Sequence, residues 1–150
     1  MFSSIVVGTD GSDTAREAVS QAVELAGRLE ATVHLVSAYE PVSGPWIPDE
    51  PGGDPGAETE SEWAVHQRGE VEATLEQAAG IARRAGVRVA VYARQGDAAD
   101  AILDVAEERD ADLVIIGNKG LTGAKRFLLG SVPNKVSHYA PCSVMIIRTT

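Results

Sequence analysis

The chain has 150 residues, 44% hydrophobic and 23% charged, a balance that fits one ordinary globular domain and excludes wholesale disorder. Its 13 Lys and Arg stand against 22 Asp and Glu, a formal net charge of −9, and that average field repels nucleic acid and anionic membranes. Cys142 is the single cysteine, so neither an intramolecular disulfide framework nor a cysteine zinc site is available.

The first element is the apolar run Ile5-Val6-Val7. No basic segment or long apolar stretch precedes it, so no secretory signal is expected and the cytoplasm is the expected location. Ala15, Ala18, Val19, Ala22, Val23, Ala26 and Leu29 then recur at steps of three and four, which predicts an amphipathic helix capped by Ser12 or Asp13. Thr32 to Tyr39 reads as the second strand. Residues 41 to 57 hold five of the seven prolines and four of the fifteen glycines, so a long irregular connection is expected there. It is either a mobile surface loop or a lid or partner-contact loop whose apolar contact is Trp46 and Ile47.

A second helical pattern runs through Trp63, Val71, Leu75, Ala78, Ala79 and Ala82 and ends near Gly86. Val87 to Ala93 is the third strand. Asp97 is placed to cap a third helix carrying Ala98, Ala101, Ile102, Val105 and Ala106. Asp112 to Gly117 is the fourth strand, and its run Leu113 to Ile116 is far too short to span a bilayer. A short helix starts at Ser131 and ends before Pro141, and Ser143 to Arg148 is the last strand. Strict alternation of strands and helices predicts an α/β fold, a single domain over residues 1–150 with a parallel sheet covered on both faces. In such sheets ligands bind outside the carboxyl ends of the strands, where the strand order reverses.

The richest constellation follows the fourth strand, Gly117-Asn118-Lys119-Gly120-Leu121-Thr122-Gly123-Ala124-Lys125-Arg126-Phe127-Leu128-Leu129-Gly130-Ser131. Glycines let backbone N–H groups approach a ligand, and a helix N-terminus offers unpaired donors and a dipole that favours an anion. Ser131 is read as the N-cap and as a hydroxyl donor to a phosphate, with Pro133 in the first turn. The segment is not a Walker loop, because no lysine precedes Ser131. Nor does Gly8-Thr9-Asp10-Gly11-Ser12 make the G-x-G-x-x-G dinucleotide fingerprint.

The spacing Gly117, two residues, Gly120, nine residues, Gly130-Ser131 resembles the nucleotide-binding signature of the universal stress proteins, G-2x-G-9x-G-[S/T]. The resemblance extends to Ile5-Val6-Val7-Gly8-Thr9-Asp10-Gly11-Ser12, to Ala111 through Gly117, to Leu129-Gly130-Ser131-Val132, and to Pro141 through Ile147. It implies a three-layer, doubly wound sandwich with a five-stranded parallel sheet in the order 3-2-1-4-5, the adenine nucleotide alpha hydrolase-like arrangement. It implies that Asp10, with Gly8 and Thr9, meets the adenosine end of a nucleotide. Ala38 would contact adenine through its backbone, and Ile116 and Gly117 would line adenine and ribose. Gly120, Gly130, Ser131 and Val132 would cradle phosphates. It also implies a homodimer through the last strand, Val144 to Arg148.

Asn118 and Lys119 replace the Ser or Thr and the His or Arg usual in the family, keeping a polar group and a charge without a bidentate fork. Lys119, Lys125 and Arg126 either steer phosphates or are solvated surface charges, and Asp10 is a nucleotide ligand, a turn-former or both. The expected ligand is ATP, with Mg²⁺ accompanying it, or cyclic AMP. A slow ATP hydrolase and a ligand-free interaction module stand as alternatives. No Gly-x-Ser-x-Gly elbow is present, so binding is expected rather than turnover. His34, expected inside a strand, His66, expected to lead a helix, and His138 are read as structural or surface residues, and Cys142 as a buried inert thiol. Acidic pairs such as Glu107-Glu108 are read as solvated helix faces. The charge is uneven: residues 49 to 76 are strongly acidic, whereas residues 117 to 150 hold Lys119, Lys125, Arg126, Lys135 and Arg148 and no acid.

Overall fold

The computed structural model describes residues 2–39, 60–118 and 129–148, the stretch 60–65 by its backbone alone. The connection at 41–57 with Trp46 and Ile47, and Lys119, Gly120, Lys125 and Arg126, lie outside the described residues. The elements alternate as β1 (Ser4–Gly8), α1 (Asp13–Leu29), β2 (Thr32–Tyr39), α2 (Glu60–Arg84), β3 (Val89–Gln95), α3 (Ala98–Glu108), β4 (Leu113–Gly117), α4 (Ser131–Tyr139) and β5 (Ser143–Ile147).

All pairings are parallel, and the strand order is β3-β2-β1-β4-β5. The fold is thus the three-layer, doubly wound sandwich in the order 3-2-1-4-5. The central strands are covered on both sides, which is why Ile5, Val6 and Val7 in β1 and Val114 and Ile115 in β4 are wholly buried. Alternate residues point to opposite faces. Ile5, Val7, Leu35, Leu113 and Ile115 join α1 and α2 in one half of the core. Val6, Val36, Val114 and Ile116 join α3 and α4 in the other. The chain leaves β1 in one direction and returns through β4 in the other, so the order reverses between those two strands.

Local chemistry sets the helix starts. Ser12 caps α1, its Oγ accepting from the Ala15 N–H at 3.2 Å. Asp97 caps α3 by accepting from the Asp100 N–H at 3.0 Å. α4 departs from expectation. Its N-cap is Gly130, with no side-chain cap hydrogen bond, and Ser131 is already the first helical residue. The Gly130 carbonyl accepts the Asn134 N–H at 3.0 Å, which fixes the cap one residue before the serine.

β3 starts two residues later than Val87, whose N–H is spent on the Ala82 carbonyl at 2.9 Å. Val87 is a core residue of the preceding connection. β3 runs on through Arg94 and Gln95, polar residues that an edge strand tolerates. β4 starts at Leu113, and the Asp112 carboxylate just ahead of it is engaged with Ser3 and Ser4. It accepts from the N–H groups of Ser3 at 2.8 Å and Ser4 at 3.1 Å and from the Ser3 hydroxyl at 3.1 Å.

Burial by itself would push the Asp112 carboxyl up, but these hydrogen bonds together hold it below the ordinary aspartate value. A depressed folded value stabilises the native state above the unfolded value, and the gain fades as pH falls through the folded one. Asp112→Ala is therefore expected to cost roughly 1 kcal/mol at pH 7. Urea melts of both proteins should show that difference shrinking toward pH 3; a difference independent of pH would refute the carboxylate's role.

Candidate functional site

At the reversal point the carboxyl ends of β1, β2 and β4 stand beside the first turns of α3 and α4. They enclose a cleft of about 130 Å³. Its walls are mostly apolar, with Ile102 from α3 and Ile116 from β4 facing Val132 and Pro133 from α4. Thr9 and Ser37, the two buried polar side chains among the described residues, both line it. An apolar cleft with a few convergent polar groups is the usual form of a small-molecule site.

Each expected residue has a position that can be checked. Gly8, Thr9, Asp10, Ala38, Ile116, Gly117 and Val132 all line the cleft. Gly8 leaves room for Ile102: a Cβ would stand 2.5 Å from Ile102 Cδ1 and 3.2 Å from its Cγ1, so even an alanine there requires the isoleucine's far end to move. The Thr9 N–H donates to the Val36 carbonyl at 2.9 Å, tying the end of β1 to β2, and its Oγ1 accepts from the Gly11 N–H at 3.3 Å. Asp10 is exposed, and its Oδ1 accepts from the Ser12 N–H at 2.9 Å. It therefore forms a turn beside the cleft that it lines.

Asn118, Gly130 and Ser131 are not cleft-lining residues. Asn118 donates its N–H to the Ile147 carbonyl at 3.0 Å, and its carbonyl accepts the Gly130 N–H at 3.3 Å. That bond joins the two ends of the segment carrying Lys119 and Gly120. Beyond Gly130, α4 presents its first N–H groups, those of Ser131 and Val132, with no side-chain cap over them; Pro133 has no N–H to add.

Val36, Ser37, Ala98 and Ile102 line the cleft without having been expected there. Ser37 had a sequence signal, a polar residue inside the run Leu35-Val36-Ser37-Ala38-Tyr39. The others look like ordinary core residues. Lys135 is committed elsewhere: its Nζ lies 2.8 Å from Asp100 and 3.4 Å from Asp97, ties that bind α4 to α3 and raise its pKa, Asp100 foremost.

Outside the cleft, the histidines have structural partners. His34 shares a 3.0 Å hydrogen bond with the Tyr92 hydroxyl, and burial, with Arg109 second, lowers its pKa. His66 sits in the second turn of α2 rather than at its start, 3.2 Å from Glu70. Glu108 is not simply solvated; it grips Arg94 at 2.6 and 3.1 Å. Cys142 is half-buried, and burial, then the charge of Asp112, push its thiol up, away from reactivity. Among the described residues no helix is long and apolar enough to cross a membrane, and no three His, Cys, Asp or Glu residues converge as metal ligands.

The model of the universal stress protein family matches residues 1–148. A universal stress protein of Mycobacterium tuberculosis is 35% identical, over 99% of this chain and 98% of its own. A universal stress protein solved in complex with cAMP superposes with a TM-score of 0.72 at 29% identity, covering 99% of this chain and 98% of that one. The universal stress protein of Archaeoglobus fulgidus in complex with dAMP gives a TM-score of 0.66 at 28% identity, covering 97% and 98%. With the family pattern matched nearly end to end and the cleft lying at the sheet's reversal point, the chain belongs to the universal stress protein family.

Proposed function

We propose that this chain binds an adenine nucleotide, ATP in preference, and that it holds the nucleotide rather than turning it over. The observation that carries the reading is the cleft itself. Apolar walls suited to a flat base meet buried Thr9 and Ser37, and the uncapped start of α4 lies at one side, suited to phosphate. Relatives of the same fold solved with cAMP and with dAMP support an adenine ligand. The preference for ATP rests on the glycine and serine spacing from Gly117 to Ser131, which provides donors for more than one phosphate. Asp10, the one carboxylate among the cleft-lining residues, is engaged in its turn, which favours binding over general-base work.

Binding would act through linkage. A ligand that binds only the folded state adds about 2.7 kcal/mol of stability at 100 times its Kd. In a cell the bound and free forms would then differ in stability, as a stress or signalling module requires. A homodimer through β5 is part of the proposal: β5 is a sheet edge whose Met145 is exposed. The cytoplasm, where adenine nucleotides are abundant, is the proposed setting.

Cyclic AMP is the second reading, favoured by the relative solved with it. Calorimetric titration with ATP, ADP, AMP and cyclic AMP separates the two. ATP should bind tightest, with no inorganic phosphate released over hours in the presence of Mg²⁺. A tighter cyclic AMP isotherm would select the second reading. Heat from none of the four would overturn nucleotide binding altogether.

A further inference from the structure

On the other face of the sheet, α1 and α2 do not close fully on each other. Between them lies a groove of about 310 Å³ whose floor is Thr9, Val19 and Ala78. Thr74 and Gln77 supply polar atoms along its wall, and Arg16 and Arg84 stand at its margin. The groove is separate from the nucleotide cleft but shares Thr9 with it.

Among the described residues the two guanidinium groups have no carboxylate closer than 3.7 Å; nor is one seen at Arg88, which donates to the Glu30 carbonyl, or at Arg109, which lies over the Tyr92 ring, but neither of those lines the groove. Arg28, Arg68, Arg83, Arg94 and Lys135 each hold a carboxylate at close range. Arg84 makes no ion pair among the described residues. Arg16 has only Asp13, 3.7 Å away and with its side chain 99% exposed, a pair that neutralises little in water. Arg84 rests against its own helix. Its guanidinium lies back along α2 over Gly80, where a Cβ would stand 3.5 Å from Nη1. Arg16 comes from α1 and Arg84 from α2, so each of the two helices that border the groove offers it a cation. Thr74 packs on Gly11, whose added Cβ would meet its Cγ2 at 2.9 Å.

We propose that this groove is a second binding site, for a small organic or inorganic anion bearing two negative groups, with Arg16 and Arg84 as its charge partners and Thr74 and Gln77 as hydrogen-bonding wall. A ligand there would touch Thr9 and Gly11, and Thr9 also lines the nucleotide cleft. The site therefore stands in a position to couple to whatever the cleft holds.

The test is a ¹⁵N NMR titration with succinate and, separately, pyrophosphate, against sodium chloride at matched ionic strength. Saturable shifts are expected at the Nε resonances of Arg16 and Arg84 and at the amides of Thr9, Gly11 and Thr74. A response to succinate alone assigns a carboxylate ligand, and to pyrophosphate alone a phosphate ligand. Shifts at Ser131 and Val132 report the nucleotide cleft and are scored apart, so failure of the nucleotide reading leaves this result standing. The double variant Arg16→Gln, Arg84→Gln should lose affinity at least about tenfold while its other amide resonances stay in place. No saturable shift with either anion, shifts spread equally over Arg28, Arg83 and Arg88, or an unchanged affinity in the variant would each overturn the site.

Discussion

Gly130→Asp is expected to weaken ATP binding about 100-fold and to leave the protein folded, with its helix slightly better capped. The backbone at Gly130 has φ −59° and ψ 163°, which an aspartate adopts without strain. The space is there too: the added Cβ would lie 3.5 Å from Pro133 Cδ and Cγ and 3.6 Å from the Asn118 carbonyl oxygen, ordinary contacts. At the N-cap the new carboxylate would accept the Val132 N–H, since Pro133 has none to give, and Asp is a better cap than Gly by a few tenths of a kcal/mol. It would thereby consume a donor intended for phosphate and set a negative charge beside the anion. Like charges about 4 Å apart near a protein surface repel by up to about 4 kcal/mol before salt screening, so a loss of about 2.7 kcal/mol, or 100-fold, is a moderate expectation. Calorimetry with ATP and with adenosine, beside a thermal melt, checks all three parts. Adenosine should bind as before, because it carries no phosphate. Equal losses for both ligands, or unchanged ATP affinity, would place the phosphates elsewhere.

Gly8→Val is expected to cost about 3 kcal/mol of stability and to close the cleft at the same time. The glycine makes room for Ile102, whose Cδ1 would lie 2.5 Å from the first carbon added. An alanine could be met by a rotation of the isoleucine's far end. The two further methyl groups of valine enter a wall where Ile116 also stands, 3.4 Å from the Cβ. Ile102 and Ile116 both line the cleft, so relief by displacement comes at the expense of ligand space. The cause can be isolated by a double variant. Gly8→Val with Ile102→Ala should be at least about 1 kcal/mol more stable than the sum of the two single losses, as contacting residues are not additive. Simple additivity in urea denaturation would show that the glycine is needed for something other than room for Ile102.

The start of α1 at Ser12 or Asp13, the cap at Asp97 and the strand from Thr32 to Tyr39 were legible from residue patterns, and the structure selects Ser12 for the first and agrees with the other two. Each depends on atoms a few residues apart. The misread boundaries have long-range causes. Asp112 stands just ahead of β4 with its carboxylate bound to Ser3 and Ser4, more than a hundred residues away. Val87 joins the core ahead of β3 because α2 packs over it. Glu108, on an apparently solvated helix face, meets Arg94 only because β3 passes beside α3.

The candidate site divides in the same way. Its glycine spacing is a covalent fact that carried the family resemblance, and that resemblance implied Gly8, Thr9, Asp10, Ala38, Ile116, Gly117 and Val132, all of which line the cleft. Ala98 and Ile102 complete it only when α3 is folded against β1, since nothing in their own neighbourhoods distinguishes them from core, whereas Ser37 stood out as a polar residue in an apolar run. Gly130 rather than Ser131 became the cap because the turn is closed by the Gly130 carbonyl and the Asn134 N–H.

From the sequence alone came the alternation of elements, their amphipathic faces and the family, because periodicity and motif spacing are properties of a chain read in order. The sheet order was implied by the resemblance and is seen in the pairing of β1 with both β2 and β4. The tertiary structure alone decided which side chains share a cavity, which cations keep unspent charge, and where two helices leave a groove. Those properties belong to distances between segments, and folding sets such distances by packing many weak contacts at once rather than by any local preference.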